Sequence, residues 1–411
     1  MTTERIKLCL VTNLFYPIPA GGAERFRRYA PGLRERGIDL EVITSLPSGY
    51  ADLKEHEIVD GIPIIRLPLA DPLKDFPQLM KFALKQFQKA QRKPDIVQIF
   101  AASPKTTNTM IRICSKRIGI IFVSTMVGEK SRSEGRDKIK EWLYDQISFW
   151  GVKHIVASTN VMKESIVSRG IRSKCISVIP NGVDVGRFHP ASSLDEKRSL
   201  RQKLGILDDD QVIMFAGYII PRKGVDLLID AWPEIISKKP KARLILAGSY
   251  GETVQSLFPS QKLMKADYFN NITRIIETFP SKDRIVFTGD IANVEEYMRV
   301  ADLFVLPSRQ EGMGNVVLEA MATGLPCLLT PYIGLPSHEF GKPGREFILL
   351  NSYEPKELAS RITQLLQDEN VATTVGKSAH KWVQENMVIE KILDQYAAVY
   401  RNVSARKTVY A

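Results

Sequence analysis

Short apolar runs alternate with segments of helical period along the whole chain, in two successive series. The first series predicts strands at 6–11, 40–44, 62–67, 95–100, 118–125 and 154–158, and helices at 23–36 and 77–91. The second predicts strands at 211–217, 242–248, 284–288, 303–307 and 326–330, and helices at 195–204, 225–236, 294–301 and 315–323. This alternation is typical of parallel sheets built from βαβ units. We therefore expect an α/β protein with two doubly wound, Rossmann-like domains.

A turn-rich stretch between the two series predicts the domain boundary. Residues 179–193 contain Ile-Pro-Asn-Gly-Val-Asp and His-Pro-Ala-Ser-Ser, which is the composition of a linker. We expect an N-terminal domain over 1–188 and a C-terminal domain over 189–387. Helical periodicity from 377 to 403, with a break around Asn386, predicts a last helix over about 388–411 that packs back on the first domain.

The composition is that of a soluble, core-forming chain. With 44% hydrophobic and 25% charged residues among 411, it is not disordered, collagenous or coiled-coil. No apolar run approaches the roughly 18 residues of a membrane span, and the N-terminal run lacks the form of a signal peptide. The four cysteines have no short spacing, which disfavours a zinc cluster and predicts buried, reduced thiols. A cytoplasmic location is therefore expected, and any membrane contact should be peripheral.

Two predicted strands are followed by glycine-containing loops that suit a bound anion, because ligands of doubly wound folds bind beyond the carboxyl ends of strands. Gly21 and Gly22 follow the first strand and precede a helix, but they lack the GxGxxG spacing and are equally consistent with a tight turn. A later loop ends in Pro-Arg222-Lys223-Gly. Adjacent cations there suit a phosphate whose charge grows as a bond breaks, with a solvated surface pair as the alternative.

A third loop, after the predicted strand 303–307, carries two carboxylates. Glu311 lies in a glycine-containing stretch, and Asn315 is expected to be the N-cap of the helix in which Glu319 follows one turn later. A carboxylate among apolar helix residues is costly to bury unpaired, which indicates a hydroxylated ligand or a fixed partner. A fourth motif, Asn181-Gly-Val-Asp184 at the domain boundary, is on its own most often a turn.

Together these motifs resemble the retaining glycosyltransferases of family 4, which have the GT-B fold. The resemblance rests on the Glu-x7-Glu spacing of Glu311 and Glu319, the Ile-Pro-Asn-Gly-Val-Asp stretch, the Pro-Arg-Lys-Gly loop and the first Gly-Gly turn. It is co-linear over nearly the whole chain. It implies two domains facing across a cleft, with a UDP- or GDP-linked sugar held mainly by the second domain.

The resemblance also implies roles for individual residues. Glu319 would accept hydrogen bonds from the ribose hydroxyls, Glu311 would hold the sugar, and Lys223 with Arg222 would stabilise the diphosphate; Lys223, Glu311 and Arg222 are the catalytic candidates. The donor-binding candidates are Gly21, Gly22, Gly217, Tyr218, Gly312, Met313, Gly314, Asn315, Val316 and Glu319. Asn181 and Asp184 are expected between the domains.

Two positions depart from the family pattern. Family members usually have an arginine directly after the strand-end glycine, where this chain has Tyr218. Many also have a histidine before a glycine after the strand 118–125, where this chain reads Thr125-Met-Val-Gly128. These departures leave open a non-catalytic sugar-nucleotide-binding homologue. A nucleotide-sugar 2-epimerase-like isomerase is a second alternative, because such enzymes share the architecture of two Rossmann-like domains. A dehydrogenase is disfavoured by the missing dinucleotide fingerprint.

The pattern of charged residues predicts a reaction without a metal or other cofactor. The sequence has no Asp-x-Asp motif and no His and Asp cluster at ligand spacing, so Lys223, Arg222 and helix N-terminal amides would have to neutralise the diphosphate. We hypothesise transfer with retention of the anomeric configuration, in which the departing phosphate helps to deprotonate the incoming hydroxyl on the same face.

The net charge of +11 is located in the first half of the chain. Residues 1–190 hold 30 Lys and Arg against 19 Asp and Glu, and the remainder holds 27 of each. Cations accompany aromatic residues in 81–93, with Phe82 and Phe87, and again in 130–150, with Trp142 and Trp150. Such segments are consistent with contact to an anionic membrane or with an ordinary helix that has a core stripe. The acceptor, a glycan or lipid-linked molecule, is expected to be anionic or presented at an anionic surface; no nucleic-acid motif is present.

Overall fold

The computed structural model describes residues 5–18, 25–50, 52–100, 103–124, 136–257, 266–336 and 338–405. The chain divides into two compact units. Unit 1 comprises Met1–Pro180 and Glu390–Ala411, and unit 2 comprises Asn181–Ile389. Each unit is a parallel or mostly parallel sheet with helices packed on it, as the alternating pattern of the sequence predicts.

In its described residues, unit 1 contains an eight-stranded sheet in the order β3-β4-β2-β1-β5-β6-β7-β8. The strands are β1 (Ile6–Thr12), β2 (Ile38–Leu46), β3 (His56–Val59), β4 (Ile62–Pro68), β5 (Ile96–Ile99), β6 (Gly119–Ser124), β7 (His154–Ala157) and β8 (Ile176–Val178). Its helices before the C-terminal segment are α1 (Arg25–Glu35), α2 (Phe76–Lys89), α3 (Pro104–Cys114), α4 (Arg136–Ser148) and α5 (Asn160–Ser168). Strand β3 is antiparallel to β4, and the other neighbours are parallel.

Unit 2 contains, in its described residues, a six-stranded parallel sheet in the order β11-β10-β9-β12-β13-β14. The strands are β9 (Gln211–Ala216), β10 (Ala242–Ala247), β11 (Ile285–Gly289), β12 (Leu303–Leu306), β13 (Cys327–Leu329) and β14 (Ile348–Leu349). The helices are α6 (Leu194–Lys203), α7 (Val225–Lys238), α8 (Gly251–Leu257), α9 (Ala266–Glu277), α10 (Val294–Val300), α11 (Asn315–Ala322), α12 (Pro355–Gln367) and α13 (Glu369–Asn386). The strand order reverses direction between β9 and β12. Ligands of such folds bind where the order reverses, at the carboxyl ends of the strands.

The last helix, α14 (Ile389–Ala405), packs within unit 1. Its buried Tyr400 donates a hydrogen bond to Gln98 Oε1 on β5 at 2.7 Å, and the Tyr396 ring lies 5.5 Å from that of Phe26 on α1. Gly32 allows this approach, because a Cβ at that position would lie 2.3 Å from Leu393 Cδ1. The chain therefore leaves unit 1 after Pro180 and returns to it at Glu390.

The boundary between the units differs from the predicted one at 188. Asn181 and Val183 bond within unit 2, because the Asn181 N–H contacts Met313 Sδ at 3.2 Å and the Val183 N–H donates to the carbonyl of Met387 at 2.7 Å. These contacts make the turn-rich motif part of unit 2 rather than a linker. The break predicted around Asn386 coincides with the end of α13.

The cysteine prediction was only partly right. All four cysteines are free, and Cys9 and Cys327 are buried, but Cys114 and Cys175 are half-buried. Burial raises the pKa of the Cys9 and Cys327 thiols. Within the described ranges, the helices are too short or too polar to cross a bilayer.

Candidate active site

Loops from three neighbouring strands of unit 2 meet where the strand order reverses. The loop after β12 bonds to the loop after β9, since the Arg309 N–H donates to the carbonyl of Arg222 at 2.8 Å and Arg222 Nη1 donates to that of Gln310, also at 2.8 Å. The loop after β13 joins them, because the Glu311 N–H donates to the carbonyl of Ile333 at 3.0 Å. The Pro-Arg-Lys-Gly motif and the first glutamate of the Glu-x7-Glu motif are thereby brought together.

Gly224 makes this approach of the two loops possible. Its φ of +68° lies in the left-handed region, and a Cβ there would lie 1.9 Å from the carbonyl oxygen of Pro307. A side chain at this position would therefore need a strained backbone and would also push the loops apart. Gly224 is also the N-cap of α7. Arg222 and Lys223 therefore lie directly before the first turn of this helix.

Arg222, Lys223 and Glu311 form a buried ion cluster. Lys223 Nζ lies 2.6 Å from Glu311 Oε1, and Arg222 Nη1 lies 3.0 Å from Glu311 Oε2. The Ser308 hydroxyl also donates to Glu311 Oε1 at 2.6 Å. Glu311 is 4% exposed and Lys223 is 9% exposed, so this pair is largely withdrawn from water. Both carboxylate oxygens are thus bonded, and the two cations are held side by side.

Burial and neighbouring charges shift the pKa of both members of the pair. Burial alone would raise the pKa of Glu311, but the charges of Lys223 and Arg222 outweigh it and hold this pKa below its usual value. Burial lowers the pKa of Lys223, and the positive charge of Arg222 lowers it further, against the opposing effect of Glu311. Glu311 is therefore ionised at neutral pH, and Lys223 gives up its proton more readily than an exposed lysine.

A second ion pair supports the loops from the side facing α7. Arg309 donates to both carboxylate oxygens of Asp226, at 2.8 and 2.5 Å, and also to the carbonyl of Pro221 at 2.7 Å. The Tyr268 hydroxyl donates to Asp226 Oδ1 at 2.6 Å. These contacts fix the backbone on both sides of the cations. The sequence prediction did not include Ser308, Arg309 or Tyr268; the only local signal was the position of Ser308, three residues before Glu311.

Helix α11 presents one accessible face, formed by Asn315, Val316 and Glu319. These three positions are half-buried, whereas Val317, Leu318 and residues 320–322 are buried. Positions 315, 316 and 319 lie at spacings of three and four, so their side chains share one face of the helix. The structure therefore brings three of the predicted donor-binding residues to one surface. Gly312, Met313 and Gly314, which precede the helix, are buried.

The expectation that Asn315 is the N-cap is wrong. The N-cap is Gly314, which has a φ of +75°, and Asn315 is the first helical residue. The Asn315 side-chain oxygen accepts a hydrogen bond from the Asn181 side-chain amide, so its amide group ties the boundary motif to this helix rather than capping it. Tyr332 adds to this region, since its hydroxyl would lie 3.2 Å from a Cβ at Gly314. Burial raises the pKa of Tyr332 well above its usual value.

The other predicted residues fall in different surroundings. Gly217 and Tyr218 directly follow β9 and are half-buried, and a Cβ at Gly217 would lie 3.5 Å from Lys223 Nζ. Asp184 lies in unit 2, and its carboxylate accepts hydrogen bonds from the backbone N–H groups of Gly186 and Arg187, each at 3.1 Å, and so stabilises a local turn. Gly21, Gly22 and the stretch 125–128 lie outside the described residues.

The arrangement offers positive charge and helix N-termini to an anionic ligand. Two cations stand at the start of α7, and the N-termini of α7 and α11 both begin at glycines that follow strands next to the reversal point. Helix N-termini present backbone N–H groups and a partial positive charge to a ligand. Within the described residues, no three His, Cys, Asp or Glu side chains are grouped so that they could hold a metal ion.

Two family models match this chain and together span most of it. "Glycosyl transferases group 1" matches residues 196–382, and "Glycosyltransferase Family 4" matches residues 20–187. An uncharacterised glycosyltransferase of Methanocaldococcus jannaschii is 25% identical over 96% of this chain and 98% of its own length. N-acetyl-alpha-D-glucosaminyl L-malate synthase of Bacillus anthracis is 26% identical over 94% of this chain and 95% of its own.

A solved structure of the Anabaena protein HepE in complex with UDP and glucose has a similar fold. It superposes with a TM-score of 0.76 at 19% identity, covering 97% of this chain and 100% of that one. The two doubly wound units and these comparisons define an enzyme of the GT-B class that transfers sugars. The chain belongs to the glycosyltransferases of family 4, as the four motifs predict.

Proposed function

We propose that this enzyme transfers a sugar from a nucleotide-diphosphate sugar to an anionic or lipid-linked acceptor, with retention of the anomeric configuration and without a metal ion. The observation that carries the proposal is the ion cluster of Lys223, Arg222 and Glu311 at the reversal point of unit 2. The cluster holds two cations at the N-terminal end of a helix, where the diphosphate of a donor would lie.

The cations supply the electrostatic part of catalysis. As the bond between the anomeric carbon and the phosphate oxygen breaks, its electron pair stays on that oxygen, and the diphosphate gains negative charge. Lys223 and Arg222 stabilise this charge because they are already fixed by Glu311 and need not reorganise during the reaction. The main role of Glu311 would thus be to position the two cations. The residues around Glu311 would contact the sugar hydroxyls.

Retention follows if the departing phosphate takes the acceptor's proton. The acceptor hydroxyl would attack the anomeric carbon from the face that the phosphate leaves, and a phosphate oxygen would accept its proton. A two-step route would require a carboxylate that can attack the sugar. Glu311 is poorly suited to that role, because Lys223, Ser308 and Arg222 engage both of its oxygens.

The accessible face of α11 supports the nucleoside part of the donor. Glu319 is half-buried there, one turn beyond Asn315, and its carboxylate can accept two neighbouring hydroxyl groups such as those of a ribose. HepE, whose fold this chain shares, was solved with UDP and glucose. We therefore propose a UDP-linked sugar as the donor to test first, with a GDP-linked sugar as the second.

Unit 1 is proposed to take the acceptor. Its two segments hold 33 Lys and Arg against 20 Asp and Glu, whereas unit 2 holds 24 against 26. A positive field of this kind attracts anionic partners. The name of the Bacillus anthracis relative describes a product that contains malate, a dicarboxylate, which agrees with an anionic acceptor.

A panel of nucleotide sugars tests the donor half of the proposal. A donor at a hundred times its dissociation constant should stabilise the protein by about 2.7 kcal/mol, visible as a rise in melting temperature. The rise should persist in EDTA.

With the donor known, NMR of the product reports the anomeric configuration. An inverted product would overturn the retaining mechanism, and loss of turnover in EDTA would overturn the metal-independent one. Epimerised donor without acceptor would instead indicate an isomerase.

A further inference from the structure

Within residues 139–148, helix α4 of unit 1 buries two polar residues and exposes mainly aliphatic and aromatic side chains, beside Lys140 and Glu141. Inward, Asp145 is buried and forms an ion pair with Arg169, whose Nε donates to Asp145 Oδ2 at 2.6 Å. Ser148 is also buried, and its hydroxyl donates to the carbonyl of Tyr144 at 2.6 Å. This is the reverse of the usual surface helix, whose apolar stripe faces the core.

The outward side carries a continuous apolar stripe. Ile139, Leu143, Ile147 and Trp150 follow one another at spacings of four, four and three, so they line one side of the helix and its end. Ile139 is 60% exposed and Trp150 is 63% exposed, and the two residues between them are exposed as well. Trp142, 51% exposed, widens the stripe. A stripe of this size on a water-facing helix indicates a contact with an apolar partner.

The two helices that continue this layer beyond α4 carry exposed positive charge. Helix α3 packs against α4 and α2 packs against α3, and their exposed positions include Lys81, Lys85, Lys89, Lys105 and Arg112. Neither α2 nor α3 contains an acidic residue. The apolar residues of α2 have a different role: Phe87 is buried in the core and Phe82 is half-buried against it. In the segment 81–93 the aromatic residues thus belong to the core, and the exposed positions are lysines, one arginine and two glutamines.

We propose that α4, with Trp150, docks on the surface of an anionic lipid bilayer, with the cations of α2 and α3 facing the headgroups. Leucine, isoleucine and tryptophan on one side of a helix, bordered by lysine and arginine, fit the boundary between headgroups and acyl chains. This inference rests on the proposed function only in that it explains how a lipid-linked or membrane-presented acceptor would be met.

A lipid surface fits this side of unit 1 better than a second copy of the chain does. A symmetric dimer through α4 would bring the cations of α2 and α3 of both copies towards each other, and like charges in an interface cost affinity. An anionic bilayer satisfies both the apolar stripe and the surrounding charge. Each lysine near such a surface should strengthen binding about fivefold at low salt, which corresponds to about 1 kcal/mol.

Vesicle sedimentation with the full-length protein tests the proposal. Wild type should bind vesicles that contain phosphatidylglycerol and should bind phosphatidylcholine vesicles at least about tenfold more weakly, with the difference reduced by salt. The double variant Ile139→Gln with Leu143→Gln should lose at least about tenfold in binding, since glutamine keeps helix propensity but removes apolar surface. Lys81→Gln with Lys85→Gln should weaken binding to anionic vesicles only.

A matched control carries the same substitutions elsewhere. Ile58→Gln with Leu194→Gln replaces two apolar residues that are each 74% exposed and belong to other elements, β3 and α6, and vesicle binding should not change. Should the α4 double variant unfold, Trp150→Gln, beyond the end of that helix, provides a second test of the stripe.

Three outcomes would overturn the docking proposal: the wild type binds neither vesicle type, it binds both equally, or it forms a dimer that the α4 double variant dissociates while no vesicle binding is seen. Stabilisation by nucleotide sugars is measured on the same proteins. If a donor stabilises the wild type but the protein does not bind vesicles, only the docking proposal is refuted. If the wild type binds vesicles but no donor, only the proposed donor reaction is refuted.

Discussion

Lys223 and Glu311 come from loops after different strands, and the distance between Lys223 Nζ and Glu311 Oε1 is 2.6 Å. Both side chains are almost fully buried, so each charge depends on the other for compensation. Arg222 bonds to the second oxygen of the same carboxylate. The pair therefore joins the two motifs into one unit and holds the cations where a leaving diphosphate would need them.

A double-mutant cycle should reveal strong coupling between these two residues. Glu311→Gln should destabilise the protein by about 3–5 kcal/mol, because it leaves the buried charge of Lys223 unpaired. Lys223→Met should cost less, because Arg222 still pairs with Glu311. The double variant should lose clearly less than the sum. As a matched pair, the exposed Lys238 and Glu234 on α7, at 2.6 Å, should couple by only about 0.3–0.5 kcal/mol. Denaturant unfolding measures all four stabilities, and additivity at 223 and 311 would contradict a buried pair.

The pH dependence of kcat/KM should report the lowered pKa of Lys223. Burial favours the neutral amine, so the rate should fall on the alkaline side at a pH below the ordinary lysine pKa of 10.5. Glu311→Gln removes the charge that raises this pKa, and the alkaline limb should therefore move to still lower pH. Glu234→Gln on the surface should leave the limb in place. Superimposable pH profiles for wild type and Glu311→Gln would show that the alkaline limb does not report the deprotonation of Lys223.

The same pair predicts a loss of stability in acid. The pKa of Glu311 in the folded state lies below its unfolded value of about 4.3, so its contribution is complete above that pH and is lost as the pH falls through the folded pKa. The stability difference between wild type and Glu311→Gln should thus shrink as the pH drops below about 4. A stability difference that does not change with pH in this range would show that folding does not lower the pKa of Glu311.

Gly224→Ala should damage the site through sterics rather than through backbone strain alone. Gly205 has almost the same φ, +66° against +68°, but a Cβ there would have no neighbour within 4 Å. Gly205→Ala should therefore cost about 1–2 kcal/mol, the strain of a left-handed residue. Gly224→Ala should cost at least about 3 kcal/mol and most of the activity, because its Cβ would meet the Pro307 carbonyl oxygen. Equal losses in the two variants would remove the steric explanation.

Glu319→Gln should weaken nucleotide binding through the ribose. Hydrogen bonds to a charged acceptor contribute about 1.5–3 kcal/mol, so affinity for UDP should fall about tenfold or more. Wild type should discriminate UDP from its 2′,3′-dideoxy analogue, and the variant should not. Glu369→Gln, at an exposed position on α13, serves as the control and should bind both as wild type does. Calorimetric titration gives the four affinities, and undiminished discrimination by the variant would refute the role of Glu319.

Much of the fold could be predicted because buried parallel strands are continuous apolar runs. Strands β9 and β12 and helix α11 appear within a residue or two of their predicted bounds. The prediction missed β3, an edge strand whose residues alternate between exposed and half-buried. It also missed α3, whose Thr-rich sequence from Pro104 to Cys114 lacks a clear apolar period. Elements that bury little apolar surface leave little pattern in a sequence.

The site could be predicted in its members but not in its connections. Residue types at strand ends indicated Arg222, Lys223, Glu311 and Glu319. Their sequence positions did not show that Glu311 pairs with both cations. Nor did they show that Arg309 forms an ion pair with Asp226, or that Asn315 bonds to Asn181. Those contacts join residues that are far apart in the chain, and only the folded arrangement of the strands and helices brings them together.

The sequence by itself determined the α/β class, the two-unit organisation, the family motifs and the excess of positive charge in the first unit, because each of these is local in the chain or a matter of composition. The tertiary structure alone decided which loops meet and which side of each helix is buried. Periodicity shows that a helix has an apolar side but not what that side contacts. For α2 the apolar side faces the core, whereas α4 exposes most of its aliphatic and aromatic side chains and buries Asp145 in an ion pair with Arg169.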